Sequence, residues 1–130
     1  MFVIDTTGSM GGIIQATLDK ARDIATRMNG SARSARVGLV EYRHYGDGFM
    51  ARTVQPLTED LATFGTALDS LYADGGGDWE EAVYSGIVTA LAEDWRPSAA
   101  RTIIVMGDAP AHDPDAHRVH GVAGRRVPQR

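Results

Sequence analysis

The sequence contains no cysteine, so it can form neither a disulfide bond nor a thiolate metal site. Lys20 is the only lysine. The formal net charge of −4 argues against nucleic acid as the main partner, because phosphate binding requires a basic surface. The apolar runs are far shorter than the ~20 residues of a membrane-spanning helix, and no signal sequence precedes the first of them. We therefore expect no membrane span. Localisation stays open, with the cytoplasm as the default expectation.

The 130 residues suit one domain, and 43% of them are hydrophobic, which is enough for a core. Apolar periodicity predicts the order strand, helix, strand, edge strand, helix, helix, strand. The predicted bounds are a strand at 1–4, a helix from Ile13 to about Gly30, strands at 37–40 and 52–55, helices beginning at Thr58 and Asp78, and a strand at 102–106. Pro56 is expected to end the edge strand, and Leu61, Phe64, Leu68 and Leu71 to form the core face of the second helix.

Most of the predicted strands are apolar without alternation, which indicates burial on both faces of a sheet. Helices between such strands form parallel crossovers. The predicted fold class is therefore α/β, a doubly wound, mainly parallel sheet with one antiparallel edge strand.

Three loops carry short oxygen-bearing side chains where a strand ends or a helix begins: 5–9, 75–78 and 107–108. In an open parallel sheet, ligands bind beyond the carboxyl ends of the strands. If the strands before Asp5 and Asp108 are neighbours, two carboxylates meet there and repel each other, a cost that a hard cation removes. The hydroxyls of Thr7 and Ser9 would complete an all-oxygen shell suited to Mg²⁺, Ca²⁺ or Mn²⁺.

The segment Asp-Thr-Thr-Gly-Ser-Met at 5–10 resembles the metal-ion-dependent adhesion site of von Willebrand factor A domains, whose pattern is Asp-x-Ser/Thr-x-Ser. Gly-Gly-Gly-Asp at 75–78 resembles the second metal loop of that family, often Gly-Gly-Thr, and Gly107-Asp108 resembles the third. The resemblance implies a Rossmann-like fold. It also implies direct metal binding by Thr7 and Ser9, and binding by Asp5 and Asp108 directly or through water.

Asp78 departs from the family pattern, because it stands where a threonine is usual. A further carboxylate near the ion should make it less electrophilic, so we expect weaker capture of acidic ligands than in members with threonine. Asp78 could be only a helix N-cap paired with Glu81, but the other two loops favour a dual role, since one carboxylate can be both a cap and a metal contact. Thr7, Ser9 and Asp108 could be ordinary turn residues.

Two polar residues of the loop after the second strand, His44 and Asp47, could form a rim of the site, and a solvated loop is the alternative. The resemblance covers roughly residues 1–112, and 113–130 are predicted to be a mobile polar tail. Members of the family usually carry two further strands and helices after the fourth strand. We therefore expect the fold to be truncated there, with an uncovered sheet edge that favours self-association.

The predicted function is a metal-dependent protein-binding module, in which an Asp or Glu of a partner protein completes the metal coordination. One alternative is a Mg²⁺-dependent hydrolase. It is disfavoured because the first loop lacks the Gly-Lys-Ser/Thr ending of a P-loop and has Thr7 where Asp-x-Asp phosphatases carry their second aspartate. We therefore expect no enzymatic activity. The other alternative is a truncated copy without function.

Overall fold

Four strands and three α-helices follow one another in the computed structural model, which describes residues 1–44, 47–75 and 82–108. In chain order they are β1 (Phe2–Asp5), a short 3₁₀ helix (Gly8–Gly12), α1 (Ile14–Ser31), β2 (Val37–Tyr42), β3 (Ala51–Thr58), α2 (Leu61–Asp69), α3 (Val83–Leu91) and β4 (Ile104–Met106). None of the helices in these ranges is long and apolar enough to cross a membrane.

The strands form one sheet in the order β3-β2-β1-β4. β1 is parallel to both of its neighbours, and β3 runs antiparallel to β2. The predicted fold class, an α/β sheet of Rossmann type with one antiparallel edge strand, is therefore confirmed. In this order β1 is central, and its carboxyl end lies beside those of β2 and β4.

Each face of the sheet has its own apolar core. Phe2 and Ile4 pack under α1 and α2, whereas Val3 packs on the opposite face under α3. Successive side chains of a strand point to opposite faces, so a strand covered on both sides has no face turned to solvent. This explains the uninterrupted apolar run of β1. α3 approaches the sheet closely, since a Cβ added to Gly86 would lie 2.7 Å from Cγ1 of Val3.

Two boundaries around β3 and α2 differ from the predictions. Pro56 does not end β3, which continues to Thr58, because a proline is tolerated on an outer strand. Thr58 does not cap α2. The N-cap is Asp60, whose side chain accepts hydrogen bonds from the backbone N–H groups of Ala62 and Thr63. The predicted core residues Phe64, Leu68 and Leu71 are buried, and Leu61 is partly buried.

The third helix also begins later than predicted. Ala82 is its N-cap and Val83 its first residue, and the predicted capping box of Asp78 and Glu81 lies outside the described residues. Leu91, the last residue of α3, is 61% exposed. The predicted tail at 113–130 and the domain boundary at 112 lie outside the described residues.

Candidate metal centre

The carboxyl end of β1 carries the most buried part of the site. Asp5 is the last residue of β1 and is fully buried, and Thr7 is 1% exposed. Oδ1 of Asp5 accepts two hydrogen bonds from Thr7, one from the backbone N–H at 2.9 Å and one from the hydroxyl at 2.5 Å. The chain therefore turns tightly after β1 and holds the Thr7 hydroxyl beside the Asp5 carboxylate.

A continuous row of side-chain oxygens leads from this carboxylate to the surface. The Thr7 and Ser9 hydroxyl oxygens are 3.2 Å apart, and the Ser9 hydroxyl donates to Oδ1 of Asp108 at 3.2 Å. Asp108 follows β4, which pairs with β1 in parallel, so both carboxylates reach the same edge of the sheet. The structure thus brings together four of the predicted residues, and Ser9 at the outer end is exposed.

The row of oxygens has fewer hydroxyl hydrogens than it has oxygen–oxygen contacts. Three oxygen–oxygen contacts link Asp5, Thr7, Ser9 and Asp108, but two hydroxyls supply two hydrogens when both carboxylates are ionised. In addition, Oδ2 of Asp5 is buried and has no hydrogen-bond partner among the described residues. The arrangement is therefore rich in acceptors and poor in donors, as a cation-binding site is.

Burial raises the pKa of Asp5 above its ordinary value. The hydrogen bonds from Thr7 lower that pKa, and the neighbouring Asp108 carboxylate raises it further. A carboxylate that is both desolvated and close to a second negative charge is destabilised unless a positive charge compensates.

The donor set fits a hard divalent cation, because it consists of carboxylate and hydroxyl oxygens and contains neither sulfur nor imidazole. It is a sparse set: within 1–44, 47–75 and 82–108, no group of three or more His, Cys, Asp or Glu side chains could hold an ion. Two carboxylates and two hydroxyls would thus leave coordination positions for water, for a partner or for residues outside those ranges.

Asp78, the fifth predicted ligand, lies outside the described residues, so its role stays a prediction. The predicted rim residues form a turn after β2, in which the backbone N–H of His44 donates to Oδ2 of Asp47 at 2.8 Å. The Asp47 carboxylate lies against Gly75, whose carbonyl accepts a hydrogen bond from Gly8 N at 3.1 Å. Asp47 is therefore connected to the first loop through Gly75. A rim function of His44 and Asp47 stays a prediction.

A buried polar cluster beside the first loop was not predicted. The Thr6 hydroxyl donates to Oε2 of Glu41 at 2.9 Å and accepts from Nε of Arg43 at 3.1 Å. Thr6, Glu41 and Arg43 are 0%, 2% and 7% exposed. The signal in the sequence was the pair of charges at alternate positions after the apolar run of β2, which places both on one face of an extended chain.

Comparison with known families decides the classification. The family model described as von Willebrand factor A domain matches residues 1–124. The chain belongs to this family. Its members are typically modules for protein–protein interaction.

A curated relative is the alpha-protein kinase vwkA of Dictyostelium discoideum, which is 25% identical over 120 residues. The match covers 90% of this chain but 19% of vwkA, so the chain spans about a fifth of that protein's length.

Two solved structures share the fold. The conserved hypothetical protein BatB from Bacteroides thetaiotaomicron has a TM-score of 0.64 at 23% identity, over 94% of this chain and 58% of that chain. The three N-terminal domains of the type V pili tip protein Mfa5 from Porphyromonas gingivalis have a TM-score of 0.62 at 18% identity, over 80% of this chain and 18% of that chain.

Proposed function

We propose that this von Willebrand factor A domain is a divalent-metal-dependent protein-binding module of the adhesion-site type. The observation that supports it is the row of oxygens from Asp5 to Asp108, with its shortage of hydrogens and the unpartnered Oδ2 of Asp5. Asp5, Thr7, Ser9 and Asp108 would hold Mg²⁺, or Ca²⁺ or Mn²⁺ in its place. Asp78 is a further candidate ligand from the sequence alone.

The outer end of the site supports a role in binding. Ser9 is exposed and Asp108 is half-buried, whereas Asp5 and Thr7 are fully buried. A bound ion would supply a Lewis-acidic point of contact for an Asp or Glu carboxylate of a protein partner. The role of the chain is to keep four oxygens in place and to leave the outer side of the site open.

The first experiment is a metal titration of the 130-residue chain. We expect Mg²⁺ and Mn²⁺ to raise the midpoint of thermal unfolding, since binding to the folded state alone stabilises it by about 2.7 kcal/mol at a concentration of 100 Kd. The variant Ser9→Ala, which removes one oxygen from the exposed end, should weaken the response. Asp19→Asn on the exposed side of α1 is the control and should respond as wild type does.

Partner binding needs a second measurement. An acidic peptide should bind in the presence of Mn²⁺ and lose its affinity when EDTA is added, while the same peptide with Asp and Glu changed to Asn and Gln should not bind. A chain whose unfolding midpoint does not respond to any of the three cations would refute the proposal. If the chain binds metal but not the acidic peptide, the metal site is supported and the protein-binding part of the proposal is refuted.

A further inference from the structure

The Thr6 side chain lies in the first loop between two proposed ligands, yet it points away from the oxygen row. Its hydroxyl is held on the other side of the loop, between the Glu41 carboxylate and the Arg43 guanidinium. Both hydrogen bonds are buried, and together they use the donor and one acceptor position of the hydroxyl. The backbone that carries Asp5 and Thr7 is therefore fastened through the residue between them.

The Arg43 guanidinium extends this connection to the loop that follows α2. Its Nη2 donates to the carbonyl oxygen of Tyr72 at 3.1 Å, and its Nη1 is 3.9 Å from Oδ2 of Asp74. Its centre lies 4.9 Å from the ring centre of Phe49 and 5.3 Å from that of Tyr72. A planar guanidinium has five N–H donors in fixed directions, so one side chain can join several segments.

The backbone repeats the connection between the same two loops. The N–H of Asp74 donates to the Thr6 carbonyl at 2.9 Å, and the N–H of Gly8 donates to the Gly75 carbonyl at 3.1 Å. The first loop is thus bound to Asp74 and Gly75 on both sides of Thr7.

Arg43 also contacts residues on either side of the segment 76–81, which carries Asp78 and lies outside the described residues. Its side chain binds Tyr72 before the segment, and its carbonyl oxygen accepts a hydrogen bond from Ala82 N at 2.9 Å after it. The buried Arg43 therefore joins described residues that lie before and after the segment 76–81 in the sequence.

Stability alone does not account for a cluster of this kind. Burying a guanidinium and a carboxylate is costly, and well-packed apolar side chains often stabilise a protein as much or more. What the hydrogen-bonded cluster adds is direction, since each bond fixes an angle as well as a distance. A metal site benefits from that, because its ligand oxygens must be held within about 0.5 Å of the binding geometry.

We propose that Arg43 and Thr6 are positioning residues for the metal centre: they fix the first loop against the loop after α2 and thereby set the metal affinity of Asp5, Thr7 and Ser9. This inference rests on the proposed function and deepens it. It assigns a role to Thr6, the first of the two unspecified positions in the Asp-x-Thr-x-Ser pattern of this chain.

The decisive experiment compares Thr6→Val with Thr6→Ser. Valine keeps the volume of threonine and removes the hydroxyl, whereas serine keeps the hydroxyl and removes the methyl group. Mn²⁺ affinity is measured by calorimetry at a temperature at which circular dichroism shows each variant to be folded. We expect Thr6→Val to bind Mn²⁺ at least about tenfold more weakly than wild type, which is typical for loss of a residue that orients metal ligands. Thr6→Ser should retain wild-type affinity.

Arg43→Met and Arg43→Lys test the second residue. Both should weaken Mn²⁺ binding, because lysine keeps the charge but cannot reach Thr6, Tyr72 and Asp74 together. Arg22→Met is the matched control. Arg22 pairs with Asp69 at the end of α2, on an exposed surface, and its loss should leave the metal affinity unchanged.

The outcomes separate the two proposals. If wild type binds no metal, the proposed function fails and this inference fails with it. If wild type binds and Thr6→Val and Arg43→Met bind within about twofold of it, the positioning role alone is refuted. Equal losses in Thr6→Ser and Thr6→Val would also refute it, because the hydroxyl would not be responsible. If Arg43→Met does not fold, the Thr6 pair decides.

Discussion

At the scale of single residues, Gly107 shows how little free space surrounds the candidate metal centre. A Cβ at this position would overlap with the buried Tyr42 hydroxyl and would lie 3.1 Å from Cβ of Asp5 and 3.3 Å from its Oδ2. The Tyr42 ring cannot move away easily, since it is 1% exposed and packs against Gly86. Gly107 is therefore needed for close contact between β4 and the Asp5 side chain.

Gly107→Ala should destabilise the domain by about 1–3 kcal/mol, the usual cost of overpacking, and should lower Mg²⁺ affinity by displacing Asp5. Urea unfolding with and without Mg²⁺ measures both effects. Gly11→Ala is the matched control, because a Cβ there meets no atom within 4 Å, although Gly11 lies in the 3₁₀ helix next to the site. Equal stability of the two variants would show that the contact at Gly107 is unimportant.

The proposed ligands were within reach of sequence reasoning, and the residues that hold them were not. Asp5, Thr7 and Ser9 form one short motif after an apolar strand, so local spacing is enough to find them. The part played by Thr6 depends on Glu41 and Arg43, which are 35 and 37 residues away in sequence. Such a contact follows from the pairing of β1 with β2, where Ile4 lies opposite Glu41, and no local pattern contains that register.

At the scale of secondary-structure elements, the start of α2 depends on Asp60. Its side chain accepts hydrogen bonds from the Thr63 hydroxyl and from the backbone N–H groups of Ala62 and Thr63. These bonds favour the ionised carboxylate, and they lower the pKa of Asp60 below its ordinary value of 3.8, the Thr63 hydroxyl having the largest effect. The capping contribution should therefore depend on pH.

The direction of this pH dependence follows from the linkage between proton binding and folding. A carboxyl group with a lowered pKa in the folded state stabilises the fold above about pH 3.8, and this stabilisation disappears as the pH falls through the folded-state pKa. We expect Asp60→Ala to lower the unfolding midpoint at neutral pH, and the difference from wild type to shrink as the pH falls below 3.8. Asp60→Asn keeps the cap acceptor without the charge, so its unfolding midpoint at neutral pH should lie between those of wild type and Asp60→Ala. A difference that is constant with pH would contradict this account.

Elements were predictable where one residue type or one period dominates, and boundaries were not. The interior of β1, β2 and α1 follows from apolar spacing. The length of β3 does not, because Pro56 ends a strand only if its missing N–H faces a neighbour, and this depends on the strand being outermost. Likewise, the choice between Thr58 and Asp60 as N-cap depends on where β3 ends and the chain turns.

At the scale of the whole molecule, the two outer strands of the described sheet differ in character. β3 carries Pro56 and the exposed Arg52, both of which oppose pairing with another strand. β4 consists of Ile104, Val105 and Met106, is flanked on one side by β1, and leaves Val105 41% exposed. Ile104 N donates to the Met1 carbonyl, so the backbone groups of Val105 point away from β1.

We therefore expect the 130-residue chain to self-associate through β4, because an apolar strand with outward-facing N–H and C=O groups is a template for a second strand. Sedimentation velocity over a range of concentrations should show a monomer–oligomer equilibrium. Val105→Lys places a charge on that strand and should shift the equilibrium towards monomer. Leu91→Lys is the control, since Leu91 is 61% exposed but lies at the end of α3. A wild-type chain that stays monomeric at every concentration would show that β4 is protected, and equal effects of the two lysines would show that exposed apolar area, not strand pairing, drives association.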